Sequence, residues 1–131
     1  MSDSPPQLEP ALVQEFVVAA HADLDRVREL LDHEPQLVNA TWDWGGGDWE
    51  TGLGGAAHMG ARDVALILLE RGARMDVFAA AMLGEVEIVR AMLAAHPALR
   101  DATGPHGIPL LAHAEAGGSA ARAVVELLSR G

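Results

Sequence analysis

A pair of adjacent bulky apolar residues recurs four times along the chain. The pairs are Leu30 with Leu31, Leu68 with Leu69, Met92 with Leu93, and Leu127 with Leu128. Each pair follows an alanine-rich segment and a small residue at a tight turn. The turn positions are Ala22, Gly60, Gly84 and Gly117. Such self-similarity is typical of repeat proteins, whose units bury their apolar faces only against their neighbours. The chain therefore predicts about four stacked units.

Each unit is expected to be a pair of short antiparallel helices. Alanine in the first helix permits close contact with the next unit, and glycine permits the sharp turn. The second helix carries apolar residues three or four positions apart, as at Val64, Leu68 and Leu69, which is a helical stripe. We expect an all-α fold.

Several residues mark where these helices begin and end. Asp23 and Ser119 are placed as N-caps, because their side-chain oxygens can accept main-chain N–H groups at a helix start. Gly72 is placed just past a helix end. Pro35 and Pro97 indicate that the second helices of units one and three have already stopped.

Two segments carry a family resemblance, because they match in register the helix-opening motif Thr-Pro-Leu-His-x-Ala. Residues 51–60, TGLGGAAHMG, keep Thr51, Leu53, Ala56, Ala57 and Gly60; residues 108–117, IPLLAHAEAG, keep Pro109, Leu110, Ala112, Ala114 and Gly117. On these residues the chain resembles the ankyrin-repeat family, and over 45–60 and 104–118 it resembles small bacterial ankyrin-repeat proteins of unassigned activity. The resemblance implies an ankyrin-repeat solenoid of about four helix-pair units. Gly52 and Gly54 replace the proline and histidine of the motif, so the usual hydrogen bonds do not carry over.

The spacing of the turn positions is uneven, at 38, 24 and 33 residues, against about 33 for an ankyrin unit. The short interval predicts that the finger between units two and three is missing. The long interval predicts an enlarged Trp/Gly-rich connector at 41–50. The expected organisation is a flexible N-terminus at 1–9 and one domain at 10–131, with units at about 10–40, 51–74, 75–101 and 107–131.

Composition excludes several classes of function. The chain has no cysteine and no lysine, which removes disulfides, thiolate metal sites and Schiff-base chemistry. The net charge is −10, and residues 1–50 hold eleven acids against Arg26 and Arg28, so nucleic acid and anionic membrane are poor partners. No cationic leader and no long apolar stretch are present, and we expect a cytoplasmic acidic protein.

The connector at 41–50 is the most unusual segment. Trp42, Trp44 and Trp49 lie within eight residues around a run of three glycines, flanked by acids. Tryptophan is enriched at binding hot spots, and an acidic aromatic surface favours a cationic or extended peptide. In the alternative interpretation, Trp42 and Trp49 fold back over the helices and the glycines form a hairpin tip.

These features predict a non-enzymatic protein–protein interaction module that uses the concave face and the connector. It needs no cofactor and is a monomer or a weakly self-associating chain. The expected partner-binding residues are Trp42, Trp44, Asp48, Trp49, Glu50, Met59, Arg62, Met82 and His106.

The competing hypothesis is a small-molecule or hydrolytic site at the connector. It would use Trp44, Asp48, Trp49 and His58. No two histidines show metal-ligand spacing on one helix, so the sequence predicts no metal site. No serine lies in a Gly-x-Ser-x-Gly elbow, and GPHG at 104–107 is expected to be a tight turn.

Overall fold

The computed structural model describes residues 3–130, and helices occupy most of them. Residues 1 and 2, which begin the predicted N-terminal segment 1–9, and residue 131, which ends the predicted domain, lie outside the described residues. The α-helices are α1 (Pro10–Ala19), α2 (Leu24–His33), α3 (Gly52–Met59), α4 (Arg62–Glu70), α5 (Val77–Leu83), α6 (Val86–Ala95), α7 (Leu110–Ala116) and α8 (Arg122–Ser129). Short 3-10 turns cover Pro35–Asn39, Pro97–Asp101, Pro105–Gly107 and Gly118–Ala121. The strands are β1 (Thr41–Asp43) and β2 (Trp49–Thr51). The all-α class is confirmed.

The helices form four successive pairs in two layers. In one layer α1 contacts α3, α3 contacts both α5 and α7, and α5 contacts α7. In the other layer α2 contacts α4, and α6 contacts α8. The first helices approach closely because buried alanines line their contacts, with Ala56, Ala57, Ala79, Ala80 and Ala81 all fully buried. Residues 71–76 join α4 to α5 without any strand or 3-10 turn, in line with the short spacing there.

The recurring apolar pairs supply the core between the layers. At least one member of each pair is buried, namely Leu30 and Leu31 in the first pair, Leu68 in the second, Leu93 in the third and Leu128 in the fourth. The core is divided into a cluster around Phe16 and Leu53 in the first half and a cluster around Val89 and Leu110 in the second. Burying such side chains contributes about 1.5–3 kcal/mol each, which accounts for the repeated pattern.

The predicted turn glycines adopt the expected left-handed conformation in two units, with φ of 67° at Gly60 and 80° at Gly84. In the fourth unit the left-handed turn residue lies one position after the predicted glycine. Gly117 has φ of −74° and Gly118 takes the left-handed position. A side chain at position 117 would collide with the carbonyl of Met82, so glycine is required there by close approach instead.

The helix boundaries agree with the sequence except at α8. Asp23 caps α2 by accepting the N–H of Arg26 at 3.1 Å, and α2 and α6 end before Pro35 and Pro97. Ser119 is not an N-cap, because it lies inside the 3-10 turn before α8 and makes no side-chain capping bond. That turn occupies the position where a helix start was expected.

A β-hairpin replaces a simple loop between α2 and α3. Strands β1 and β2 are antiparallel, and Trp42 pairs with Glu50. Glycines at positions 45, 46 and 47, all with positive φ, form the tip, and Asp43 accepts the N–H groups of Gly45 and Gly47. The interpretation of these glycines as a hairpin tip is confirmed. Because side chains alternate along a strand, Trp42, Trp44 and Glu50 share the inner face.

None of the helices in residues 3–130 is long and apolar enough to cross a bilayer.

Candidate metal centre

Four side chains from four separate segments converge beside the hairpin. We call them the His/Glu cluster: His21, Glu50, His58 and His106. His21 follows α1, Glu50 lies on β2, His58 is in the last turn of α3, and His106 is in the 3-10 turn Pro105–Gly107. One nitrogen or oxygen atom from each lies within 4.8 Å of the others. Ligand atoms about 2.0–2.2 Å from one tetrahedral metal ion lie roughly 3.3–3.6 Å apart, so small shifts would bring these four atoms to ligand separation.

The carboxylate of Glu50 is the centre of this arrangement, and its residue is 0% exposed. Its Oε1 lies 3.1 Å from His21 Nε2 and 3.4 Å from His106 Nε2. Its Oε2 lies 3.1 Å from His58 Nε2. The indole Nε1 of Trp44 donates a hydrogen bond to Oε1 at 2.9 Å, which fixes the carboxylate from the hairpin side.

Two buried polar atoms of the cluster have no hydrogen-bond partner among the described residues: Glu50 Oε2 and His58 Nε2. They are close to each other but not aligned as donor and acceptor. Leaving a polar atom buried and unsatisfied costs about 1–3 kcal/mol. A cation between them would accept a lone pair from both and remove this cost.

The outer nitrogens of two cluster histidines are held by acceptors. His21 Nδ1 bonds the main-chain oxygen of Val17 at 2.8 Å, and His106 Nδ1 bonds Asp48 Oδ2 at 2.7 Å. A carbonyl or carboxylate oxygen can only accept, so both Nδ1 atoms donate. When such a ring is neutral, its Nε2 lone pair faces the Glu50 carboxylate, and a proton or a metal cation between the two atoms is needed to offset their repulsion. The same arrangement orients histidine ligands in metal sites.

The charge states of the inner groups suit a cation ligand set. Burial acts to raise the pKa of Glu50, but contacts with His21, Trp44 and His106 outweigh it and the pKa is lowered, so the carboxylate is ionised. Burial lowers the pKa of His58, which favours a neutral ring. The hydrogen bond to Glu50 raises the pKa of His21, so in the absence of metal a proton takes up part of the negative charge. Metal ligands must be deprotonated, and Glu50 and His58 already favour that state.

The main chain of His106 adopts a conformation that is uncommon for any residue other than glycine. Its φ is 62°, and it is the one non-glycine residue with positive φ in residues 3–130. Asp48 Oδ1 accepts its main-chain N–H at 2.8 Å, so one carboxylate holds both the backbone and the ring. Such backbone outliers concentrate at functional sites.

Glycines at the start of α3 leave the space that the cluster occupies. A Cβ at Gly55 would lie 2.7 Å from His21 Cε1, and a Cβ at Gly54 would lie 3.4 Å from Pro105 Cγ. The close approach of His21 therefore requires glycine at position 55, whereas a methyl group at position 54 would only make ordinary contact with Pro105.

The structure brings together four of the nine residues expected to bind a partner: Trp44, Asp48, Glu50 and His106. It does so around a buried carboxylate, so Glu50 itself offers no surface to a protein. His58, which the small-molecule hypothesis singled out, is part of the same cluster. His21 was not predicted as a site residue.

The other five residues lie elsewhere. Trp49 and Met59 are 59% and 54% exposed and remain available to a partner. Trp42 packs against the first core cluster, which confirms that this ring folds back. Arg62 donates to the carbonyl of Leu83. Met82 is 1% exposed inside the core, so its assignment to a binding surface is corrected by burial.

Comparison with protein-family models yields no match, and a search of curated proteins yields no significant relative.

Proposed function

We propose that the protein binds one divalent transition-metal ion at the His/Glu cluster. The observation that carries this proposal is the convergence of three imidazole Nε2 atoms on one buried carboxylate. Two buried atoms at this point, Glu50 Oε2 and His58 Nε2, have no hydrogen-bond partner among the described residues. Spacing along the chain predicted no metal site, because the four side chains come from four different segments. Their proximity arises only from the stacking of the units.

The donor set indicates the class of ion. Imidazole nitrogen suits zinc, copper, iron and nickel, whereas magnesium and calcium prefer all-oxygen sites. Three nitrogens and one carboxylate oxygen match a four-coordinate zinc site with ligand distances of about 2.0–2.2 Å. We therefore expect Zn²⁺ to bind tightly, Cu²⁺ to bind at least as tightly, and Mg²⁺ and Ca²⁺ to bind much more weakly.

The role we assign to the ion is structural. It would link the hairpin, the end of α1 and the 103–109 loop, three connecting segments that lie on one side of the helices. Glu50 is fully buried and His58 nearly so, and a site closed by four protein ligands is typical of structural zinc and not of catalysis. We therefore propose binding and not an enzymatic reaction.

Isothermal titration of the EDTA-treated, dialysed protein with Zn²⁺ tests the proposal. We expect a stoichiometry of one ion per chain. His58→Ala should weaken binding at least 100-fold, because it removes the ligand that faces the unsatisfied Glu50 oxygen. His33→Ala and His96→Ala change exposed histidines outside the cluster and should bind as the wild type does. Absence of one-to-one binding in the wild type would refute the proposal.

A second proposal concerns the repeat architecture. We infer that the four helix pairs are ankyrin-type units, with the finger between units two and three missing and the one between units one and two enlarged. Two of the residues expected to bind a partner, Trp49 and Met59, are exposed, which supports the protein-interaction role expected from the sequence. A groove of about 370 Å³ lies beside Trp49; it is lined by Gln7, Leu8, Pro10, Val13, Thr41, Trp42, Asp43 and Trp49.

The partner role can be tested apart from metal binding. Trp49→Ala removes the most exposed ring of the groove and leaves the cluster untouched, so zinc affinity and the thermal midpoint should not change. Capture of a protein partner from lysate should be lost in this variant and kept in Leu66→Ala, which alters another exposed apolar residue far along the chain. Equal capture by both variants would contradict the groove as the binding surface.

A further inference from the structure

Asp48 occupies a distinctive place between the hairpin and the 103–109 loop. It precedes β2 and reaches across to His106 with both carboxylate oxygens: Oδ1 accepts the main-chain N–H at 2.8 Å and Oδ2 contacts Nδ1 at 2.7 Å. Its side chain is about one-third exposed, and it does not reach the centre of the cluster. Asp48 therefore acts on the site through His106.

This double contact determines which nitrogen of His106 is available. A carboxylate has no proton to donate, so the proton of a neutral His106 ring lies on Nδ1. The lone pair is then on Nε2, the atom that faces Glu50 at 3.4 Å. The left-handed backbone of His106, held by the same carboxylate, aims the ring in this direction.

The other cluster histidines need less support. His21 is held in the same tautomer by the carbonyl of Val17 within its own helical turn. The ring of His58 is packed on α3 with a side chain only 12% exposed. His106 is the most exposed of the three, at 32%, and it lies on a loop. A rotatable surface ring needs an outer partner to hold one tautomer and one orientation.

We propose that Asp48 is a positioning residue of the metal site, which fixes His106 as the Nδ1–H tautomer and delivers its Nε2 as a ligand. This inference rests on the proposed metal-binding function. Outer partners of metal-bound histidines typically contribute 10–100-fold to metal affinity.

Asp48→Asn separates positioning from a general structural effect. Asp48 uses a different oxygen for each contact, Oδ1 for the backbone N–H and Oδ2 for Nδ1. Asparagine has an acceptor oxygen at only one of these two positions and an NH₂ group at the other, so it cannot accept both. If its oxygen keeps the backbone bond, its NH₂ donates to Nδ1 and places the ring proton on Nε2, the wrong atom for a ligand. We expect zinc affinity to fall 10–100-fold at constant pH.

Asp43→Asn is the matched control on the same hairpin. A single oxygen of Asp43 accepts the N–H groups of both Gly45 and Gly47, and an amide oxygen can do the same. This variant should bind zinc within about twofold of the wild type. Asp48→Glu keeps two acceptor oxygens, so its zinc affinity should lie between those of the wild type and of Asp48→Asn. This second variant keeps the proposal testable if Asp48→Asn folds poorly.

The decisive readout is the tautomer of His106 in the zinc-loaded protein, measured by long-range ¹H–¹⁵N NMR of the imidazole ring, together with zinc titrations of the four proteins. We expect Nδ1–H in the wild type and in Asp43→Asn, and loss of the zinc-bound Nε2 signal in Asp48→Asn. If Asp48→Asn binds zinc as tightly as the wild type, the positioning role is overturned while the metal site stands. If the wild type binds no zinc, the metal site and this role fall together.

Discussion

Replacing Glu50 by glutamine changes one atom type at the centre of the cluster and preserves its shape. The amide oxygen can still accept the hydrogen bond of Trp44, and the amide nitrogen can face His58. The variant loses the one negatively charged metal ligand of the cluster, since the other three members are histidines. It should therefore fold, and its defect should appear mainly when metal is added.

The size of the defect follows from linkage between binding and folding. At a free zinc concentration of about 1,000 times the dissociation constant, binding to the folded state alone adds about 4.1 kcal/mol to the free energy of unfolding. If Glu50→Gln weakens binding about 100-fold, the same zinc concentration is about 10 times its dissociation constant and adds only about 1.4 kcal/mol. The zinc-dependent gain in stability should differ by about 2.7 kcal/mol between the two proteins.

Urea unfolding with zinc and with EDTA measures this gain for each protein separately. The comparison uses the increase in the free energy of unfolding that zinc causes in each protein. The effect of the substitution on the stability of the metal-free protein therefore cancels. In thermal unfolding, with about 4 °C per kcal/mol for a chain of this size, the wild type should gain about 16 °C and the variant about 6 °C. Glu115→Gln alters an exposed acid and should gain as much as the wild type. An equal gain in Glu50→Gln would show that Glu50 is not a ligand.

Three further predictions follow from single residues. Gly55→Ala places a methyl group 2.7 Å from a ring atom of His21, so zinc affinity measured by titration should fall at least tenfold, although alanine favours the helix. His106→Gly removes a ligand but relieves the left-handed backbone; zinc binding should be lost while the metal-free free energy of unfolding in urea stays within about 1 kcal/mol of the wild type. Burial lowers the pKa of His113 below its ordinary 6.5, so below that pH the unfolded chain binds a proton that the folded chain does not. The free energy of unfolding in EDTA should therefore fall as the pH drops below 6.5, and it should fall less steeply in His113→Met. Identical pH profiles of the two proteins would contradict this role of His113.

Much of the helical architecture could be predicted because its signals are local. The apolar pairs recur at helical spacing, and residues such as Asp23 and Pro35 mark helix ends by chemistry that involves only near neighbours. The errors at Ser119 and Gly117 arise where the last unit inserts a 3-10 turn, which changes the register by a few residues. The ankyrin assignment stays a prediction.

The site was much harder to predict, because its ligands are single residues far apart in the chain. A spacing rule finds histidines on one helix, whereas His21, His58 and His106 meet only after three units stack. Alternation along the hairpin does place Trp44 and Glu50 on one face, but alternation alone does not show that this face is buried. Asp48 and Glu50 were therefore interpreted as surface acids.

One signal in the sequence was available. Gly54 and Gly55 open α3 at positions where the repeat motif does not require glycine, and the structure shows that side chains there would meet Pro105 and His21. Consecutive glycines in a helix cost stability, about 1 kcal/mol each relative to alanine. Their presence indicates that something must approach the helix closely.

Anomalous diffraction from a zinc-loaded crystal, recorded above and below the zinc absorption edge, tests the central claim most directly. We predict one strong peak per chain, with the Nε2 atoms of His21, His58 and His106 and a Glu50 oxygen at about 2.0–2.2 Å. A peak at exposed His33 or His96 instead, or no peak at the cluster, would contradict the proposed metal site.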